Sequence, residues 1–171
     1  MHGRGEGARS KARRMRLLRL RTRRLMELKK GGAVVRKVAV TGIKPSVLYC
    51  NKALGLADGH IRELRRTISS SLAGAHVGRS TTLRLALHQA DLQQECDAAP
   101  LVAWATAIWD GTMESADLEQ AWLQQQVKTG MKKRWAAASA PAGACIMTAA
   151  RIGWTWPRYN VFVDRGGRQL N

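Results

Sequence analysis

The side chains in this chain that can do chemistry are mostly cations. Arg13, Arg14, Arg16, Arg19, Arg21, Arg23 and Arg24 crowd into twelve residues near the N-terminus, and Lys132, Lys133, Arg134 and Trp135 form a second basic run that ends in an indole. Guanidinium forks at this density grip phosphate oxygens, and displacement of condensed counterions drives such binding. An exposed ring beside positive charge can stack on an unpaired base. For Trp135 a stacking role and a core role are both open; Trp104, Trp109 and Trp122 read as core, as do Trp154 and Trp156.

The groups that catalysis needs do not converge. Asp91 and Glu95 at i, i+4 could share a helix face but read as solvated acids at helix ends, and Asp164 reads as turn chemistry. Cys50, Cys96 and Cys145 lie far apart, with no Cys-x-x-Cys or His-x-x-x-His spacing, so no metal and no cofactor is expected. The run Gly74–Thr81 looks superficially like a phosphate loop. It lacks the Lys before Ser or Thr, and it reads as an ordinary capped turn in front of a helix.

The charge is uneven. The chain of 171 residues has 29 Lys and Arg against 12 Asp and Glu, a net +17. Residues 1–37 hold 14 of the basic and 2 of the acidic side chains, a surplus of twelve. A charge gathered in one segment is the footprint of a polyanion, so RNA or DNA, held mainly through phosphates, is the expected partner. An odd, unclustered set of cysteines fits a reducing, intracellular setting, nucleus or cytoplasm ahead of the mitochondrion, whose transit peptides the Arg-rich, acid-poor N-terminus resembles except in its few hydroxyl residues. No apolar run approaches the roughly 18 residues of a membrane span.

Elements must position these groups. The spacing predicts a basic helix over 9–30, with Met15, Leu18, Thr22, Leu25 and Met26 on one stripe and arginines around most of the rest; Gly31-Gly32 ends it. Residues 33–41 read as strand or helix, Gly42 as a break, and 45–54 as a helix opened by Pro45 and closed by Gly55. The clearest helix is 58–73, capped by Asp58, with Ile61, Leu64, Ile68 and Leu72 inward, Arg62, Arg65 and Arg66 outside that face, and Gly74 as its stop. A helix over about 82–90, capped by Ser80 or Thr81, turns Leu83 and Leu87 to one side. Pro100 opens another to about 109, Ser115 one to about 128 that Gly130 interrupts, and a short helix covers 143–152. Residues 154–163 favour strand, and Asp164–Gly167 a hairpin turn. The expected fold is mainly α: a bundle-like helical domain (32–140) behind a basic arm (1–31), with a short helix and a small β-hairpin over 141–171 that ends abruptly enough to read as truncated.

Residues 43–72 (IKPSVLYCNKALGLADGHIRELRRTISSSL) resemble the segment that follows the polymerase core in non-LTR, LINE-like retrotransposon reverse transcriptases. Pro45, Val47, Leu48 and Tyr49 match that pattern, as do Gly55-Leu56 and Leu64-Arg65-Arg66; Cys50 stands for the usual Gly and Lys52 where an acid is frequent. The basic helix and the run Ala150–Trp154 are also similar to parts of such reading frames. The resemblance implies a fragment without the paired carboxylates of the polymerase, since no Asp-Asp occurs here. Its implied work is gripping template or element RNA beside a polymerase or ribonucleoprotein partner. The alternative is a basic structural or interaction subunit of a ribonucleoprotein assembly. Neither role is enzymatic, and the purified chain is expected to show no primer extension or nuclease turnover; extension abolished by Asp91→Ala or Asp110→Ala would overturn this.

Overall fold

The structure, a computed structural model, describes residues 6–72, 80–111, 113–132 and 135–170, with backbone alone for 6–8, 10, 131 and 132. The expected stop at Gly74 and the loop Gly74–Arg79 lie outside the described residues. The fold is mainly α with a small C-terminal antiparallel sheet, and the chain forms two compact units, 1–49 with 57–94 and 50–56 with 95–171.

In the first unit, α1 (Glu6–Lys30) buries Met15, Leu18 and Leu25. The basic segment is therefore part of a packed core, because its apolar stripe recurs with the helical period. α1 ends in a Schellman turn. Gly32 sits at φ 86°, its N–H donates to the Lys29 carbonyl (3.0 Å), and the Ala33 N–H donates to the Leu28 carbonyl (3.1 Å).

The ambiguous valine-rich segment is helical. α2 (Arg36–Val38) runs through a π turn (Ala39–Ile43) into α3 (Lys44–Leu48). Gly42 does not break it but lies inside the wide turn. Pro45 cannot donate to the Thr41 carbonyl and crowds it, and the i→i−5 bond from the Lys44 N–H to the Ala39 carbonyl opens the helix just ahead of the ring. The helix expected over 45–54 is two pieces, α3 and α4 (Asn51–Leu54), because Cys50 takes a left-handed φ of 62°.

α5 (Asp58–Ser71) buries Ile61, Leu64, Ile68 and, just past its end, Leu72. Its N-cap is Ala57 rather than Asp58, whose carboxylate sits in the first turn, where the helix dipole favours it. Its C-terminal carbonyls are capped by cations. The Lys29 ammonium donates to the Ser70 and Leu72 carbonyls (2.6 and 3.0 Å), and the buried Arg84 guanidinium donates to that of Leu72 (2.8 Å).

Arg84 explains the orientation of α6 (Thr81–Leu87), which Ser80 caps. Its inward residues are Arg84 and Leu85, whereas Leu83 and Leu87 are exposed. The helix orients to deliver a guanidinium to the end of α5, and two of its leucines turn outward as a consequence.

The second unit is built on α4, α7 (Gln93–Trp109), α8 (Ser115–Lys132), a 3₁₀ turn (Trp135–Ala137) and α9 (Pro141–Ile152). Pro100 lies inside α7 instead of opening it. The carbonyl left without an N–H by this proline is that of Cys96, and it accepts from the buried Asn51 amide at 3.2 Å. Gly130 likewise lies within α8. α9 presents Ala142, Gly143, Ala144, Cys145 and Ala149, small enough for α8 to approach closely: a Cβ on Gly143 would stand 2.7 Å from the Gln125 side-chain oxygen.

Trp104, Trp122 and Trp156 fill the centre of this unit, with ring centroids 4.7 to 6.4 Å apart, and the Trp104 indole N–H donates to the Tyr159 carbonyl (2.9 Å). Trp109, expected in the core, is 90% exposed. The C-terminal element is a three-stranded sheet in the order β1 (Thr155–Arg158), β2 (Val161–Val163), β3 (Gln169–Leu170), not a two-stranded hairpin. Tyr159-Asn160 turn the chain one step earlier than the strand pattern suggested, and Pro157 occupies an edge strand, where its missing N–H costs no ladder bond.

Trp122→Ala is expected to destabilise the protein by about 3–5 kcal/mol, as for other large buried aromatics. Trp122→Phe should cost far less, because the indole N–H has no partner among the described residues. Urea unfolding followed by circular dichroism measures both; equal losses would contradict the packing described.

Candidate nucleic-acid interface

The cationic surface begins with the face of α1 that packing leaves outward. Arg13, Arg16, Arg21, Arg23 and Arg24 are exposed, and among the described residues none of them is ion-paired. Their spacing sets Arg13, Arg16, Arg23 and Arg24 around the side of the helix opposite Leu18 and Leu25, while Arg21 flanks the apolar stripe beside Leu25. The other two arginines of the cluster turn toward the fold. Arg14 donates to the Tyr49 carbonyl. Arg19 forms a two-pronged pair with Glu63 of α5, Nε to Oε1 at 2.9 Å and Nη2 to Oε2 at 3.2 Å. The Arg19 side chain nonetheless remains 68% exposed.

α5 adds cations. Arg62 and Arg66 are exposed one turn apart, while Arg65 is tied to Asp91 (2.8 Å) and Thr82 (3.1 Å). That pair also accounts for Asp91, which is therefore engaged as a structural partner. Where α1 meets α5, a groove of about 400 Å³ is lined by Arg19, Thr22 and Arg23 from one helix and Glu63, Arg66 and Thr67 from the other. Its floor is a hydroxyl contact, Thr22 Oγ1 to Thr67 Oγ1 at 3.2 Å. Arg62 and Arg66 are legible in the sequence only as the polar side of a helix; their i, i+4 spacing was the available signal, but nothing in it pairs them with α1.

Beside this surface, burial lowers the Lys11 ammonium to about 8, and the Arg14 charge adds to the effect. His60 is also lowered, first by burial; Glu63 opposes the shift, and Arg19, Lys11 and Arg14 support it.

Of the second predicted site, the structure describes the side chain of Trp135 alone. Lys133, Arg134 and the side chain of Lys132 lie outside the described residues. Trp135 is half-buried in the second unit. The Arg151 guanidinium lies 4.6 Å from its ring centroid, and a Cβ on Gly55 would come within 2.4 Å of the ring. Arg151 is in turn paired with Asp97 (2.6 Å) and donates to the Leu56 carbonyl (2.7 Å). The indole thus serves as one wall of a partly buried ionic knot, and a base would have to compete with a guanidinium for its surface.

Burial raises the Cys145 thiol far above its ordinary range, and the sulfur donates to the Pro100 carbonyl (2.8 Å), so it is no nucleophile at neutral pH. Among the described residues no three His, Cys, Asp or Glu side chains gather as a metal site, and no helix is long and apolar enough to cross a membrane.

In comparisons with known proteins, no family model, no curated protein and no solved structure matches this chain.

The Lys11 shift has a consequence for stability. Between pH 8 and 10.5 the unfolded chain retains a proton that the folded chain has released, so this site's contribution is fully favourable above 10.5 and is lost as pH falls through 8. Lys11→Met should therefore stabilise the protein at pH 7, with the gain shrinking by pH 10.5. Urea unfolding of both proteins at the two pH values measures this, and a gain independent of pH would contradict it.

Proposed function

We propose that the first unit binds nucleic acid through its phosphates and that the chain has no catalytic centre of its own. The observation that carries this reading is the set of five unpaired, exposed guanidiniums on α1, held on a packed helix. The two units differ sharply in charge: the first has 20 basic and 5 acidic residues and the second 9 and 7, so +15 of the total +17 belongs to the first. A rigid surface of like charges carries a self-repulsion that a polyanion relieves, and binding releases the polyanion's counterions. The resemblance to the region after a retroelement polymerase supports the same work: gripping template or element RNA while the chemistry takes place on another polypeptide. The three cysteines, two of them buried, form no disulfide among the described residues, which fits a reducing compartment.

One observation favours a second reading, a basic structural or interaction subunit of a ribonucleoprotein. The second unit carries an almost wholly apolar cavity of about 610 Å³ beside the exposed Trp109 and Val102, and patches of this kind mark protein contacts.

If all five exposed arginines meet phosphates, affinity for an oligonucleotide should fall with salt on a log–log slope of about −3.5 to −4.5. Replacing Arg13, Arg16, Arg23 and Arg24 together by Gln should flatten that slope by about 3 and weaken binding alike for unrelated sequences. Fluorescence anisotropy over several salt concentrations reads both quantities, and an unchanged slope in the variant would refute the reading.

A further inference from the structure

We infer that the groove between α1 and α5 is a discrete seat for one phosphate group of a nucleic-acid strand, clamped by Arg23 from one helix and Arg66 from the other. The inference rests on the nucleic-acid reading above and deepens it: it separates a built site from a diffuse basic surface.

Three features argue for it. The first is charge balance. Of the four ionic groups lining the groove, Arg19 and Glu63 already cancel in their two-pronged pair, which leaves Arg23 and Arg66 as an uncompensated +2 within one concavity. Two guanidiniums facing one hollow from different helices repel each other unless an anion lies between them, and a phosphate offers each of them a pair of oxygens in fork geometry.

The second is shape. The floor of this open groove is made of Thr22, Thr67 and Ser70, side chains short enough to leave about 400 Å³ between the longer arginines. Their hydroxyls are committed to the helices: Thr22 donates to the Leu18 carbonyl (2.8 Å), Thr67 to that of Glu63 (3.1 Å) and Ser70 to that of Thr67 (2.8 Å). The floor is thus neutral and saturated, and recognition falls to the arginines.

The third is rigidity. The Arg19–Glu63 pair and the packing of Thr22 against Thr67 hold the two helices together at the groove, so the backbone positions that carry Arg23 and Arg66 are set before a ligand arrives. Fixed geometry lowers the ordering cost of binding.

The ligand chemistry is a phosphate with at least two free oxygens, which either an internal diester or a terminal monoester supplies. The test uses the full chain and a thymidylate dodecamer, with either a 5′-hydroxyl or a 5′-phosphate, titrated by anisotropy at several salt concentrations. The variants are Arg23→Gln, Arg66→Gln, the double variant, and Arg13→Gln as an equal charge loss outside the groove. All three arginines are exposed, so the fold should be retained, and circular dichroism checks it. Each groove variant is expected to weaken binding tenfold or more, against threefold or less for Arg13→Gln. The double variant should lose less than the product of the single losses, because both side chains hold the same group. A loss confined to the 5′-phosphorylated strand would assign the seat to a terminal phosphate, and equal losses on both strands would assign it to an internal one; either supports the site. Equal, small and multiplicative effects at Arg13, Arg23 and Arg66, with the salt dependence of the unaltered protein retained, would overturn the groove and leave nucleic-acid binding standing. Absence of any binding by the unaltered protein would overturn both.

Discussion

The surface of the first unit depends on the burial of one narrow apolar stripe. α1 is a poor helix by its own charges: Arg9–Arg13, Arg13–Arg16, Arg16–Arg19, Arg19–Arg23 and Arg21–Arg24 are like-charge neighbours at i+3 or i+4, together costing roughly 1–2.5 kcal/mol. Burial of Met15, Leu18 and Leu25 contributes on the order of 5–9 kcal/mol and wins. Packing thus permits a charge density that an isolated helix would relieve by fraying. It also decides which arginines face outward, since a stripe fixed against the core leaves the opposite side no other direction.

The same packing accounts for the two helix-end cations of this unit. Lys29 and Arg84 reach the C-terminus of α5, where the carbonyls have no helical donors of their own. Two positive charges are thereby used structurally at the site that the α5 dipole makes most negative. The second unit meets its own backbone problem differently. Pro100 leaves a carbonyl of α7 without its helical partner, an asparagine amide on α4 answers it, and three indoles fill the volume around which α7, α8, α9 and the sheet are arranged.

What the sequence showed follows from how local each signal is. Ile61, Leu64, Ile68 and Leu72 were legible because one helix buries them by its own periodicity, and the Gly31-Gly32 stop because a left-handed residue is a local demand. The shared face of Leu83 and Leu87 was legible, but not that it points outward, because the orientation of α6 is set by Arg84 and its distant acceptor, which no window of sequence contains. Pro100 and Gly130 read as boundaries, yet both sit inside helices sustained by tertiary contacts. Of the candidate site, the arginines of α1 were visible as a group, but not that Arg14 and Arg19 turn inward or that Arg66 joins Arg23 across a groove. Trp135 kept two readings open in the sequence, and the Arg151–Asp97 knot that occupies it arises from residues far apart in the chain.

The central claim is that a packed helical surface of the first unit, and not the indole run of the second, meets the polyanion. The most direct measurement is an isotope-edited NMR titration of the full chain with a short oligonucleotide, following backbone amides and arginine side chains. The account predicts shifts concentrated at Arg13, Arg16, Arg23 and Arg24 of α1 and at Arg62 and Arg66 of α5, with Trp135 and the indoles of the second unit unmoved. Shifts centred on Trp135 and its basic neighbours, with α1 silent, would contradict it.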